Sequence, residues 1–161
     1  QVATPSRENV DEYQRIRDDV ELIVGRANGS LGRIGAPAIH YVRDSLPIEE
    51  LMALYQAADI MLVTPLRDGM NLVAKEYVAS RIHDDGALVL SEFTGAAREM
   101  PQSWLVNPYD MDGVKAAIVA AATAGHDEKR RRMRAMRAHL LNHDVQRWAA
   151  KFIDQLTAPD A

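Results

Sequence analysis

The chain has 161 residues, 47% apolar and 26% charged, with a formal net charge of −4, the profile of a globular chain long enough to bury a core. With no cysteine, disulfides and thiolate metal sites are excluded, and a reducing cytoplasm is the expected setting. No apolar run reaches the roughly 18 residues that a membrane span needs, the opening residues do not read as a signal peptide, and the acidic balance argues against nonspecific nucleic-acid binding.

In chain order, Gln1-Val2-Ala3 reads as the end of a strand and Thr4-Pro5-Ser6 as a strand-to-helix turn with Ser6 as N-cap. A charged helix is expected over residues 7–24, with Val10, Tyr13, Ile16, Val20 and Ile23 at helical spacing. Arg7 falls in its first turn, where the helix dipole does not favour a cation. It is open to an anionic partner there, or to a salt bridge with Glu8 or Asp11. Residues 25–37 hold four glycines and one proline and read as a loop, which Arg26 and Asn28 serve by function or by shape. Residues 38–42 read as a short strand. Ser45-Leu46-Pro47 opens a helix that reaches Ala58, with Glu49 and Glu50 suited to its positive end and Leu51, Leu54 and Tyr55 facing the core.

Residues 59–81 are the centre of the pattern. Ile60 to Val63 are all apolar, as in a strand covered on both faces of a parallel sheet. Thr64-Pro65 ends it, because proline cannot donate to a ladder. In the following loop Gly69 is free to take a positive φ and to let a ligand approach. Asn71 reads as the N-cap of a helix over residues 72–81, with Val73, Ala74, Tyr77 and Val78 packing on the sheet and Lys75 turned outward. A helix start of this kind favours a nearby anion by about 0.3–1 kcal/mol. Asp68 lies on the loop, where a ligand over the strand ends would be met. Glu76 lies a turn deeper, within reach of vicinal hydroxyls. Spacing alone leaves both open as a turn residue and a solvated helix position.

Asp84-Asp85-Gly86 reads as a turn, residues 87–91 as a buried strand, and Thr94-Gly95-Ala96-Ala97 as the start of a short helix built for close packing or ligand contact. A last strand over residues 104–106 leaves through Asn107-Pro108-Tyr109-Asp110 into an alanine-rich helix over residues 112–124. Residues 126–142 form a basic helix whose Met133, Met136 and Leu140 point inward. Its arginines read as a solvated face, since no aromatics are interleaved to stack bases. His139 and His143 have a metal-ligand spacing but no third ligand beside them. The final helix, residues 145–156, is expected to bury Trp148, Phe152 and Ile153. Strands alternating with helices give an α/β fold with a parallel sheet.

The string Leu-Val-Thr-Pro-Leu-Arg-Asp-Gly-Met-Asn-Leu-Val-Ala-Lys-Glu, residues 62–76, closely resembles the signature of the trehalose-6-phosphate synthases, retaining glycosyltransferases of the two-domain GT-B architecture. Pro5-Ser6-Arg7, Gly25-Arg26-Ala27-Asn28-Gly29 and the stretch from Val89 through Phe93-Thr94-Gly95 to Val106-Asn107-Pro108 resemble the same family at matching spacings. The resemblance implies a Rossmann-like parallel sheet flanked by helices, part of a C-terminal GT-B domain. Residues 1–142 would form its nucleotide-sugar binding portion without the upstream part. Residues 143–161 would cross back to a missing N-terminal domain. The chain is therefore expected to be a fragment of a longer one.

By the same resemblance, UDP-glucose or another NDP-glucose gives its glucose to glucose 6-phosphate with retention. Glu76 would hold the ribose hydroxyls, a bidentate acceptor facing two donors. The N–H groups of Leu72 and Val73, with Ala74 and Lys75 beside them, would meet the diphosphate. Asp68, as the catalytic-site carboxylate, would hold glucose hydroxyls together with the backbone of Gly69, Met70 and Asn71. Leu46 would lie against the nucleobase, and Arg7 would bind the acceptor phosphate through its guanidinium fork. No nucleophile stands beside a base as covalent catalysis would need, no metal or other cofactor is called for, and a homo-oligomer stays open. Two other readings share these residues: a pseudo-glycosyltransferase coupling a nucleotide-linked cyclitol, and a non-catalytic homologue that binds sugar phosphate or nucleotide as a regulator.

Overall fold

The computed structural model describes residues 1–5 and 10–157. Two compact units divide them, one up to Leu51 and the other from Met52.

In the first unit, helix α1 (Asp11–Leu31) starts behind Val10 and ends with the Gly32 N–H on the Asn28 carbonyl. It therefore runs straight through Gly25 and Gly29, which sequence alone read as loop. A glycine costs a helix interior about 1 kcal/mol relative to alanine without ending it. The Asn28 amide explains the following stretch, bonding the Ile39 N–H and C=O at 2.8 and 2.9 Å. Residues 38–42 are consequently no strand. Their one ladder contact is a parallel bridge between Val2 and Val42. None of the α1 residues is buried, and Ile16 and Ile23 are more than half exposed.

The second unit is organised on a parallel sheet in the order β1-β2-β3, formed by β1 (Ile60–Val63), β2 (Ala87–Ser91) and β3 (Trp104–Val106). All five residues of β2 are buried, as a central strand covered on both faces requires. Ala87 and Val89 pack with Val106 of β3 against Val114 and Ala121 of α5 (Met111–Thr123). By the two-residue period of a strand, Leu88 and Leu90 turn to the opposite face. There α3 (Leu72–Ser80) and α6 (His126–Asn142) contact β2 and bury Tyr77, Val78, Met133 and Met136. Each such side chain adds about 1.5–3 kcal/mol. Strand β1 differs from the expectation of a doubly covered strand: it is an edge of the sheet, and Leu62 is 46% exposed.

The remaining helices are α2 (Ile48–Ala57), α4 (Gly95–Glu99) and α7 (Val145–Thr157). In α2 Tyr55 is buried, but Leu54 is exposed. In α7 the three residues expected inside, Trp148, Phe152 and Ile153, are all more than half exposed, with the two rings stacked on each other at 5.5 Å. The α6 arginines are less free than a solvated face implies. Arg132 pairs with Glu128 and stacks on Trp104, and Arg134 and Arg137 converge on Asp84. No helix among the described residues is long and apolar enough to cross a membrane.

Candidate functional site

The chain leaves β1 at Val63 and crosses to α3 through the loop that carries Asp68. One more parallel bridge, between Asp68 and Thr94, holds this loop to the segment after β2. The Asp68 N–H donates to the Phe93 carbonyl and the Gly95 N–H to the Asp68 carbonyl, at 3.2 and 3.1 Å. A side chain on Gly95 would run into the Gly69 carbonyl, so the small residue at this point serves close packing of two backbones.

The left-handed residue of the loop is Asn71, with φ of 73°, and not Gly69. Asparagine tolerates this conformation because its short amide bonds locally. Here Oδ1 caps α3 by accepting from the Ala74 N–H at 2.9 Å, while Nδ2 donates to Asp68 Oδ2 at 2.9 Å. Asp68 Oδ1 accepts from the Met70 N–H at 3.0 Å. That backbone donor, with the Asn71 amide, holds the Asp68 carboxyl below its ordinary pKa. Each carboxylate oxygen keeps a second lone pair for a ligand. The Met70 carbonyl accepts from Ala96, so both main-chain groups of Met70 are already engaged. Gly69 has neither a positive φ nor any atom within 4 Å of where a Cβ would stand. Nothing in the protein itself demands a glycine there.

Because Asn71 takes the N–H of Ala74, the N–H groups of Leu72 and Val73 remain as the open end of α3. Both side chains are exposed, which corrects the expectation that Val73 packs on the sheet. Ala74, Tyr77 and Val78 do so, each fully buried. Lys75 is not turned out to solvent. Its Nζ reaches both oxygens of Glu99 on α4, at 2.9 and 2.8 Å. Glu76 is half-buried and accepts at Oε2 from the Tyr55 hydroxyl at 3.2 Å. Asp68 fits the turn reading, since the Met70 N–H two residues on closes an Asx turn on its carboxylate. Glu76, by contrast, is not a freely solvated helix position, being half-buried and bonded by Tyr55.

An open cleft of about 640 Å³ lies along the loop, lined by Arg67, Asp68, Phe93, Thr94, Arg98 and Tyr109 among others. Asp68 and Gly69 share this cleft, and residues 70–76 are not among its lining. Sequence reasoning passed over Arg67, Arg98 and Tyr109. Their one signal was position, since all three follow the carboxyl end of a strand, where ligands of open α/β sheets bind. Leu46 is half-buried in the first unit. Arg7 and Ser6 lie outside the described residues. Among the described residues no group of three or more His, Cys, Asp or Glu side chains could hold a metal ion. His139 and His143 instead stack ring on ring at 4.0 Å.

This geometry has counterparts. The trehalose-6-phosphate synthase of Mycobacterium avium is 58% identical over 156 residues, which cover 97% of this chain and 32% of the relative. A solved structure from E. coli, bound with UDP-2-fluoro glucose, matches with a TM-score of 0.93 at 42% identity, over 99% of this chain and 36% of that one. A UDP-forming α,α-trehalose-phosphate synthase from Burkholderia xenovorans, in complex with glucose-6-phosphate, matches with a TM-score of 0.93 at 39% identity, over 98% of this chain and 35% of that one. The chain thus spans about a third of the length of the curated relatives it matches. With residues 1–158 matching glycosyltransferase family 20, the chain belongs to that family.

Proposed function

We propose that the full-length protein transfers glucose from UDP-glucose to the anomeric hydroxyl of glucose 6-phosphate, giving α,α-trehalose 6-phosphate and UDP, and that this chain carries the donor half-site. The observation that carries the reading is the arrangement of Asp68, the capped start of α3 and Glu76 at the end of β1. The relatives bound with UDP-2-fluoro glucose and with glucose-6-phosphate support the choice of both substrates.

Glu76 holds the two ribose hydroxyls, and the open N–H groups of Leu72 and Val73 meet the diphosphate at the positive end of α3. Ala74 and Lys75 complete this wall, with Lys75 tied back to Glu99. Asp68, its carboxylate favoured by its donors, takes glucose hydroxyls beside the backbone of Gly69 and Asn71, while the Met70 main chain, engaged by Asp68 and Ala96, holds the loop in place. The bare Gly69 supports that placement, since it leaves the backbone open to a sugar. Leu46 meets the base, and Arg7 the acceptor phosphate. The acceptor oxygen attacks the anomeric carbon on the face from which UDP leaves. The bond to the diphosphate breaks, and the hydroxyl proton passes to the departing phosphate oxygen. The protein contributes position and stabilisation of the leaving charge, which asks for no metal. In the longer chain, α7 lays its exposed Trp148, Phe152 and Ile153 on the N-terminal domain.

The test is calorimetric titration of UDP, ADP and GDP into the full-length protein and its Glu76→Gln variant. UDP is expected to bind, with affinity falling about tenfold or more in the variant, the worth of a hydrogen bond to a charged group. Absence of binding by all three nucleotides would overturn the reading. Binding of ADP or GDP in place of UDP would move the donor to that nucleotide.

A further inference from the structure

We infer that Tyr55 is a positioning residue for Glu76: its phenol donates to one carboxylate oxygen and leaves the other turned toward the ligand's hydroxyls. The inference rests on the donor reading above and goes beyond it to the group that aims the carboxylate.

Tyr55 is the sole hydrogen-bond partner of the Glu76 carboxylate among the described residues, with Oη 3.2 Å from Oε2. An unanchored glutamate on a helix surface samples many rotamers, so a ligand would have to select one of them. This donor is itself held at its ring and at its backbone. Its ring is 6% exposed and meets Tyr77 edge-on, with centroids 6.4 Å apart and planes at 88°. Tyr77 in turn is fully buried and donates from its hydroxyl to the Ala58 carbonyl at 3.0 Å. The backbone of Tyr55 is held by Arg81, a guanidinium 5% exposed that bonds the carbonyls of Tyr55 and Gln56 and pairs with Asp85. The end of α2 is thereby clamped to α3, and the phenol has little freedom to leave the carboxylate. Burial and the neighbouring Glu76 push the phenol pKa up to about 12, so it remains a donor at any pH the protein meets.

The consequence is specific to the ribose. Removing the Tyr55 hydroxyl keeps the ring packing and every Glu76 atom, but releases the carboxylate. The experiment is titration of UDP and of 2′,3′-dideoxy-UDP into the full-length protein, Tyr55→Phe and Glu76→Gln. The native protein is expected to prefer UDP. In Tyr55→Phe, affinity for UDP should fall about three- to tenfold, the range for one hydrogen bond, while affinity for the dideoxy analogue stays unchanged. Equal weakening of both ligands would mean a merely structural tyrosine and would overturn the inference, as would an intact preference in Tyr55→Phe. Loss of the preference in Glu76→Gln tests the donor reading separately. If the native protein shows no preference, or Glu76→Gln keeps it, the ribose role of Glu76 falls and the inference falls with it.

Discussion

At residue 71 three demands meet on one side chain. The backbone must turn left-handed, the helix start needs an acceptor, and the Asp68 carboxylate needs a donor. Asparagine satisfies all three, and sequence alone identified only the cap. Sequence alone leaves Gly69 free to take the positive φ, as glycine usually does, whereas a side chain bonded at both ends lets Asn71 take it. Substitution should separate the contributions. Asn71→Gly keeps the conformational freedom and loses the bonds. Asn71→Ala loses the cap, worth about 0.5–2 kcal/mol, and adds left-handed strain of about 1–2 kcal/mol. Urea unfolding should therefore rank native protein above Asn71→Gly and Asn71→Gly above Asn71→Ala. The reverse order of the two variants would mean that the backbone relaxes out of its left-handed turn.

Among elements, the clearest difference between sequence and structure is α6. Its arginines were legible as charges, but Asp84, the shared partner of Arg134 and Arg137, sits some fifty positions away and had no local signal. Asp84, itself at φ of 56°, receives Arg137 at 2.9 Å and Arg134 at 3.1 Å. These bonds, that of Arg137 foremost, lower the Asp84 pKa. A carboxyl held low in the folded state adds stability above its unfolded pKa of about 3.9 and loses it as pH falls toward the folded value. Asp84→Asn keeps the turn, since asparagine tolerates the same φ. It should cost about 1 kcal/mol at neutral pH, because Arg134 is well exposed and its share is screened. The difference in unfolding free energy between native protein and variant should shrink as the pH drops below about 4. A gap that persists unchanged at pH 3 would place the cost in the backbone and not in the ion pairs. The helix boundaries show the same limit on local signals: Gly25 and Gly29 read as breakers, yet α1 continues to Leu31.

For the whole molecule, apolar pattern and apolar burial part company in a revealing way. Of the stripe Val10, Tyr13, Ile16, Val20 and Ile23, the last four lie on α1 while Val10 is its extended N-cap, and α7 carries an equally regular apolar stripe. Periodicity says which residues share a face but not what lies against it, and both faces are largely exposed in this chain. Every buried apolar side chain among the described residues belongs to the second unit, from Tyr55 to Met136. Local stability follows buried contacts and protected hydrogen bonds, and it sets the rate at which amides exchange. Strand β2 is buried at all five positions and bonded on both edges. Helix α1 has no buried residue and depends on its own ladder. Native-state hydrogen exchange on the 161-residue chain should accordingly find Val89 and Leu90 among the slowest amides and those of α1 faster by about a hundredfold or more. Protection of α1 equal to that of β2 would mean that its apolar face is covered in solution, and a dilution series would then tell a second copy of the chain, whose protection falls with concentration, from a contact within one chain.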